Sequence, residues 1–228
     1  MYKIPKIIPT TNKAIFESTL EMLDIDGTIA NQHHILVENL AGINAQLIVY
    51  KKDYKLFNIK GEITKDNDKM GLLNILKDYK ESIKDIQSKL LQLFPEDGFI
   101  IFDVVFAGGS INKKFKYSED INIYVSDIST KKRFFSRASS EHLLMLLQNI
   151  NEEFVFGDYK IFTMLPHISV KFGDNQANIF TKNLESSFSE ELLFNHSLLN
   201  KDVPIYEILI TPANVNYIQN GHKYYFKR

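Results

Sequence analysis

Cysteine and tryptophan are both absent from this chain of 228 residues. The lack of cysteine excludes disulfides, thiolate zinc sites and a cysteine nucleophile, and it is compatible with a reducing compartment. Net charge is nearly absent as well, since 27 Lys and Arg side chains against 28 Asp and Glu leave a formal charge of -1. No global basic field therefore draws the chain to nucleic acid, and any such surface must be local.

Long apolar runs are also missing. No run approaches the roughly 20 residues that a membrane-spanning helix needs, so no membrane partner is expected. The first residues, MYKIPKIIPTTNK, contain two prolines and no apolar segment of the kind found in a secretory signal. We expect a cytoplasmic protein, or a virion protein if the abundance of Lys, Asn, Ile, Phe and Tyr reflects an AT-rich phage genome.

The composition that remains is that of a globular protein, with 44% hydrophobic and 24% charged residues. Short apolar runs separated by turn residues predict a β-rich N-terminal extension over residues 1–68. Within it, Ala45–Lys51 and Lys55–Thr64 predict a hairpin across Lys52-Asp53. Residues 69–182 predict a core domain, and residues 183–228 a C-terminal helix and closing strands.

Residues 69–94 predict one long amphipathic helix, because apolar residues recur at spacings of four and three. We expect Asp66 or Asp68 to cap this helix and Phe94-Pro95 to end it. The apolar positions are Leu72, Leu76, Tyr79, Ile83, Ile86, Leu90 and Leu93.

The rest of the core alternates strands and helices. A second helix is predicted over His142–Phe154, opened by Ser139-Ser140-Glu141, and a third over Ser189–Leu199. Further strands are predicted at 159–165, 167–172, 176–181, 205–210 and 224–226. This order predicts an α/β or α+β fold, with a mixed sheet flanked by helices.

The stretch FIIFDVVFAGGSINKKFKYSEDINIYV, residues 99–125, has the pattern of a site. A nearly unbroken apolar run predicts a strand covered on both faces. The run stops at Gly108-Gly109-Ser110, where the backbone can turn sharply and approach a ligand. A short polar segment, expected to include a short helix, carries Lys113, Lys114 and Lys116. A second strand follows from Ile121, directly after Asp120.

This stretch resembles the nucleotidyltransferase superfamily typified by DNA polymerase β. In that family a strand ends in Gly-Gly or Gly-Ser, a helix follows, and a nearby strand carries an Asp-x-Asp pair. The resemblance covers residues 70–182 and implies binding of a nucleoside triphosphate and nucleotidyl transfer with Mg²⁺. Its site residues fall into two groups, the acidic pair Asp120 (metal-binding) and Glu119, and the nucleotide-binding residues Gly108, Gly109, Ser110, Lys113, Lys114, Asn122 and Asn178.

Two asparagines leave open whether the chain is catalytically active. Asn122 and Asn178 stand where the family has its second and third metal-binding carboxylates, and each removes a negative charge. Either other acids complete the site, from Asp103, Asp127, Asp158 and Asp174, or the chain is an inactive relative. An inactive relative would serve as a binding or assembly module with a nucleic-acid or protein partner, for example in a phage particle.

A third hypothesis comes from LDIDGTIA, residues 23–30, which resembles the first motif of haloacid-dehalogenase-type phosphatases. The resemblance makes Asp24 a nucleophile for phosphate and Asp26 its acid/base partner. The residues themselves also fit an ordinary Asp-Gly turn between strands. A fourth feature, KKRFFSR at residues 131–137, mixes cations with aromatic rings, as single-strand nucleic-acid surfaces do, and also fits a solvated loop anchored by two phenylalanines.

Overall fold

The computed structural model has an α+β architecture with two mixed sheets and three helices among the residues that it describes. The chain forms two compact units, one made of residues 42–165 and one made of residues 2–41 together with 166–228. The division predicted from the sequence, at residues 68 and 182, has other limits and stays a prediction. The structure describes residues 6–9, 34–148, 159–170, 196–214, 217–219 and 222–227.

The first unit contains a six-stranded sheet in the order β5-β4-β3-β6-β7-β8. Its strand pairs are antiparallel except β7 with β8, which is parallel. The strands are β3 (Ile43–Tyr50), β4 (Tyr54–Asn58), β5 (Gly61–Glu62), β6 (Phe99–Gly108), β7 (Ile121–Ser129) and β8 (Thr163–Met164).

Three helices accompany this sheet: α1 (Leu72–Lys77), α2 (Lys80–Leu93) and α3 (Arg137–Leu147). One face of the central strands packs with apolar side chains of α1, α2 and α3 to form the core. Alternation along β3 puts Ala45, Leu47 and Val49 in that core. Gln46 and Ile48 then point to the opposite face, where they are buried too. Burial on both faces explains the apolar run of β6, which is interrupted at Asp103, and confirms that prediction.

The second unit contains the sheet β1-β12-β10-β2-β9, with β11 paired to β12. Here β1 and β12 are parallel and the other pairs antiparallel. The strands are β1 (Lys6–Pro9), β2 (His34–Asn39), β9 (His167–Val170), β10 (Glu207–Pro212), β11 (Tyr217–Gln219) and β12 (His222–Lys227). The predicted α+β class with a mixed sheet is confirmed, and the strands divide between two sheets rather than one.

The prediction of one continuous helix over residues 69–94 was wrong, because the segment breaks at Asp78 and Tyr79. The main-chain N–H groups of these two residues donate to carbonyls three residues earlier, Ile75 and Leu76, which closes the last turn of α1. The N-cap residue of α1 is Gly71, but the predicted role of Asp68 is seen in its carboxylate, which accepts from the N–H groups of Leu72 and Leu73 at 2.9 and 2.8 Å. The apolar face lies in the core except at Leu93, which is exposed.

Other boundaries also differ from the sequence pattern. The predicted strand at 159–165 is reduced to Thr163–Met164 because the side-chain amide of Gln148 binds both main-chain polar groups of Phe162, at 2.7 and 2.9 Å. Helix α3 begins at Arg137, earlier than predicted, because the Ser136 hydroxyl caps it. Residues 196–199, the described part of the predicted third helix, are not helical, since His196 forms a bridge with Pro204.

No helix in the described part of the chain is long and apolar enough to cross a membrane.

Candidate functional site

The glycine corner, which we define as Gly108, Gly109 and Ser110, lies where β6 ends and the loop to β7 begins. Gly108 has φ 96° and Gly109 has φ 53°, a region that other residues rarely adopt. Gly108 pairs with Ile121, the first residue of β7, so the two ends of the loop are adjacent. The sequence therefore placed this turn correctly, and a positive φ explains both glycines.

The space beside each glycine is filled by the loop itself. A Cβ on Gly108 would overlap the hydroxyl of Ser118 and the carbonyl oxygen of Asp120, and one on Gly109 would meet the side chain of Ile121 at 2.8 Å. The Gly109 N–H donates to the Ser118 carbonyl at 2.9 Å. The amide of Gly109 is thus already used within the loop, while Ser110 is exposed.

The loop from 109 to 120 carries the predicted lysines and forms turns rather than the expected short helix. Lys113 and Lys114 are exposed, and the Lys114 ammonium lies 5.4 Å from the centre of the Phe115 ring. The Phe115 ring stacks on Tyr117, with 6.3 Å between the ring centres. This arrangement places two cations and an aromatic pair on the loop that follows the glycine corner.

The predicted acidic residues, Glu119 and Asp120, are the last two residues of the same loop. Glu119 forms an exposed ion pair with Lys116 at 2.8 Å. Asp120 is exposed, and its main-chain oxygen accepts from the Ser118 hydroxyl at 2.6 Å. The Asn122 amide donates to that hydroxyl at 3.2 Å. Serine 118 therefore ties the backbone of Asp120 to the side chain of Asn122, which keeps these two predicted site residues adjacent to Gly108.

The remaining predicted acids divide into two groups. Asp103 and Asp127 are buried and pair directly across β6 and β7, away from the glycine corner. Asn178, Asp158 and Asp174 lie outside the described residues, as do Asp24 and Asp26 of the phosphatase hypothesis. Among the residues that the structure describes, no group of three His, Asp or Glu side chains is placed to hold a metal ion.

The basic cluster at 131–137 is largely used in packing. The Arg133 guanidinium lies over the rings of Phe94 and Phe135, 5.5 and 4.7 Å from their centres. Lys132 pairs with Glu96 at 2.9 Å. Arg137 is buried and donates to the carbonyls of Ser126 and Leu165. Sequence reasoning did not identify this arginine as a core residue, because its role depends on carbonyls that are distant in the chain.

Comparison with solved structures relates this fold to RNA ligases. The chain is similar to a Naegleria gruberi RNA ligase mutant with ATP and Mn, with a TM-score of 0.60 and 12% identity. It is also similar to that ligase with PPi (TM-score 0.58, 12% identity) and to a mutant with AMP and Mn (TM-score 0.56, 11% identity). In each case all of this chain aligns with 55% of the ligase chain.

No protein-family model and no curated protein sequence matches this chain. The chain spans about half the length of the ligases that it resembles, and at this identity the likeness concerns the fold. The described architecture is therefore an α+β fold similar to the one found in part of these RNA ligases.

Proposed function

We propose that this chain is a nucleotide-binding domain of nucleotidyltransferase type, which binds a nucleoside triphosphate beside the glycine corner. The observation that carries the proposal is the likeness of the fold to ligase structures that contain ATP, AMP or PPi. The polymerase-β branch is a finer proposal. The residues Gly108, Gly109 and Asp120 support it. Against it, residues 109–120 of this chain form turns, where the polymerase-β branch has a helix.

The contacts available to a triphosphate come mainly from side chains. The Gly109 N–H is bonded to Ser118, whereas the Ser110 hydroxyl and the ammonium groups of Lys113 and Lys114 lie on exposed residues of this loop and can donate to phosphate. Two ammonium groups on one short loop offset the charge of a triphosphate, and their exposure lets them move to meet it.

A divalent ion fits this site only when the bound nucleotide supplies some of its ligands. Mg²⁺ is commonly held by one or two carboxylates together with phosphate oxygens. Asp120 and Glu119 are both exposed, but Glu119 is paired with Lys116, and the Asn122 amide is bonded to Ser118. When bound, the ion would offset phosphate charge. Nucleotidyl transfer would join an acceptor oxygen to the α-phosphorus and release pyrophosphate.

The inactive relative is the second candidate, and one observation favours it. Both neutral replacements of the family's acids, Asn122 and Asn178, lower the charge available to a metal, and Asn122 is engaged in holding the loop. On this reading the chain binds a nucleotide or a macromolecular partner without turnover. A cytoplasmic or virion location belongs to the same proposal.

Isothermal titration with ATP, GTP, CTP and UTP, each with and without Mg²⁺ or Mn²⁺, tests the proposal. We expect at least one triphosphate to bind. Its affinity should fall at least tenfold when the metal is omitted, and also at least tenfold in the variant Asp120→Ala. Asp66→Ala, which removes an exposed acid elsewhere, serves as the matched control. Binding without pyrophosphate release would support the inactive relative, and the absence of binding to all four nucleotides would overturn the proposal.

A further inference from the structure

Three turns of the first unit meet at one end of its sheet, the end opposite the glycine corner. Strand β3 ends at Tyr50, which is paired with Phe99, the first residue of β6. Strand β7 ends at Ser129, which is paired with Ile101 of β6. Gly108 lies nine positions after Phe99, or roughly 30 Å along an extended strand. The two ends of the sheet are therefore separate surfaces. The three turns are residues 51–53, 95–98 and 130–133.

Cations are concentrated on these turns. We call five of them the basic end: Lys51, Lys52, Lys131, Lys132 and Arg133. Two contacts connect the turns, since Lys51 Nζ donates to the Pro95 carbonyl at 3.3 Å and Lys132 forms an ion pair with Glu96 at 2.9 Å. The same turns carry three acids, so five cations leave a local charge of +2 in a chain whose formal charge is -1. The acids are Asp53, Glu96 and Asp97.

Three cations of the basic end have no acidic partner in the part of the chain that the structure describes. Lys52 and Lys131 are exposed, and neither side chain forms an ion pair or a hydrogen bond there. Arg133 is exposed as well, and its guanidinium forms no ion pair or hydrogen bond with the described residues. Its charge is held instead by the rings of Phe94 and Phe135, at 5.5 and 4.7 Å from their centres.

The aromatic contacts of Arg133 prepare this side chain to bind an anion. Phe94 and Phe135 meet edge to face, with 5.8 Å between their centres, and both rings attract the guanidinium group. This attraction leaves the N–H donors of the guanidinium unused. An arginine held in one place loses less freedom when it binds, and its planar fork matches two oxygens of one phosphate or carboxylate.

A nucleic-acid strand fits the basic end better than an acidic peptide. The cations lie on turns that follow β3 and β7, which are about 10 Å apart with β6 between them, so they suit a chain of evenly spaced charges. Two half-buried rings, Tyr50 and Phe99, lie at the same end with 5.6 Å between their centres. Bases stack on aromatic rings, whereas carboxylate side chains do not.

We propose that the basic end binds single-stranded nucleic acid through its phosphates, without reading the base sequence. Lys52, Lys131 and Arg133 supply the contacts, and Arg133 binds one phosphate through two N–H groups. The strand binds in the absence of nucleotide, and the proposal uses none of the residues assigned to the triphosphate. Counterion release by three cations predicts that the logarithm of the binding constant falls with the logarithm of the salt concentration, with a slope of about −2.

Fluorescence anisotropy of a labelled single-stranded RNA of mixed sequence tests the proposal on the full chain, without nucleotide, at about 50 to 200 mM salt. We expect a Kd on the order of 10⁻⁴ to 10⁻⁶ M and the slope given above. The proposal is overturned if the RNA does not bind at the lowest salt concentration. It is also overturned if polyglutamate of equal charge displaces the RNA as well as unlabelled RNA does, since the surface would then bind acidic peptides.

Variants that remove cations assign the RNA to the basic end. Lys52→Gln with Lys131→Gln is expected to weaken RNA binding at least tenfold at about 50 mM salt, because two phosphate contacts are lost. Arg133→Lys keeps the charge but removes the fork, and should weaken binding about fivefold. Lys65→Gln with Lys69→Gln, at exposed positions elsewhere, is the charge-matched control. Equal losses in the two double variants, or no loss in Arg133→Lys, would contradict the assignment.

One variant should strengthen binding, which a merely structural role of the basic end would not produce. Glu96→Gln removes the partner of Lys132 and is expected to raise RNA affinity at least threefold and to steepen the salt slope to about −3. Glu81→Gln is the matched control, since Glu81 forms a similar exposed pair with Lys84 at 2.7 Å. Unchanged affinity in Glu96→Gln would overturn the proposal. Triphosphate affinity is measured separately, so failure of either proposal is visible without the other.

Discussion

The phenol oxygen of Tyr79 accepts a hydrogen bond from the main-chain N–H of Ile123, 2.9 Å away. Tyr79 lies at the break between α1 and α2, and Ile123 is the third residue of β7, which follows the loop of the glycine corner. Both residues are buried. The residue at the helix break therefore supplies a side-chain acceptor to a main-chain N–H of β7, close to the candidate site.

Tyr79→Phe is expected to destabilise the protein by about 1–3 kcal/mol, because it leaves the buried N–H of Ile123 without an acceptor. Urea denaturation followed by circular dichroism measures the loss. The matched control is Tyr54→Phe, which removes a hydroxyl from a half-buried tyrosine on β4 and is expected to change stability by less than about 0.5 kcal/mol. Equal losses in the two variants would contradict the role assigned to the Tyr79 hydroxyl.

The same tyrosine predicts a pH dependence at the alkaline end. Burial raises the pKa of Tyr79 to about 12, from an ordinary value of 10.0. A raised pKa in the folded state means that the neutral phenol contributes its full stability below pH 10 and that this contribution is lost as the pH rises toward 12. The loss is up to about 1.4 kcal/mol per pH unit.

We therefore expect the stability difference between wild type and Tyr79→Phe to shrink between pH 10 and pH 12. Urea denaturation at pH 9, 10, 11 and 11.5 measures it, and the comparison of two proteins cancels the titration of other groups. A difference that stays constant across this range would show that the phenol does not titrate with the predicted shift.

Glu38 predicts a pH dependence at the acid side. This glutamate on β2 is fully buried; its Oε2 accepts from the Leu198 N–H at 2.8 Å, and its Oε1 has no partner among the described residues. Burial raises the pKa of Glu38, and the hydrogen bonds from Ser197 and Leu198 lower it in part. Since the folded-state pKa is above the unfolded one, the contribution of Glu38 to stability falls as the pH rises from about 4.5 through the folded-state pKa.

Glu38→Gln is expected to raise the unfolding temperature at pH 7.5 and to have less effect at pH 4.5, because the amide carries no charge to bury and retains an acceptor oxygen. Scanning calorimetry at four values of pH from 4.5 to 7.5 measures the change. The control is Glu81→Gln, at an exposed glutamate on α2. If Glu38→Gln proved equally destabilising at all four values, the buried carboxylate would be a structural requirement.

Gly108→Ala is expected to destabilise the protein by about 2–4 kcal/mol, the sum of strain at positive φ and overlap with the Asp120 carbonyl. Gly98→Ala is the matched control, because Gly98 also has a positive φ, 74°, while a Cβ there meets nothing within 4 Å. Urea denaturation of the two variants separates overlap from strain. If Gly108→Ala lowered the free energy of unfolding no more than Gly98→Ala does, the loop would have to shift and accommodate the added Cβ without overlap.

The lysines of the loop are expected to set nucleotide affinity. The double variant Lys113→Gln with Lys114→Gln should weaken triphosphate binding at least tenfold and reduce its dependence on salt, because two cations near the phosphates are removed. Lys65→Gln with Lys69→Gln changes the net charge equally at exposed positions elsewhere. Isothermal titration at 50 and 200 mM salt measures both effects. An equal loss in the two double variants would point to net charge alone.

Several elements could be predicted from the sequence because they depend only on local chemistry. The run before Gly108 specified a strand buried on both faces, the two glycines specified a turn with positive φ, and Asp68 specified the start of a helix. The spacing of Leu76, Ile83 and the other apolar residues fixed which face of the helical segment is buried. These features follow from backbone freedom, side-chain period and capping, which act within a few residues.

Other features emerge only in the folded chain, because they depend on groups that are far apart in the sequence. The break at Tyr79, the shortened strand beside Gln148 and the pairing of Asp103 with Asp127 all involve partners 14 to 44 residues away, or on another strand. A hydrogen bond or a buried charge is set by which groups meet after folding. The apolar run around Asp103 predicts that this aspartate is buried, but its position opposite Asp127 follows only from the pairing of β6 with β7.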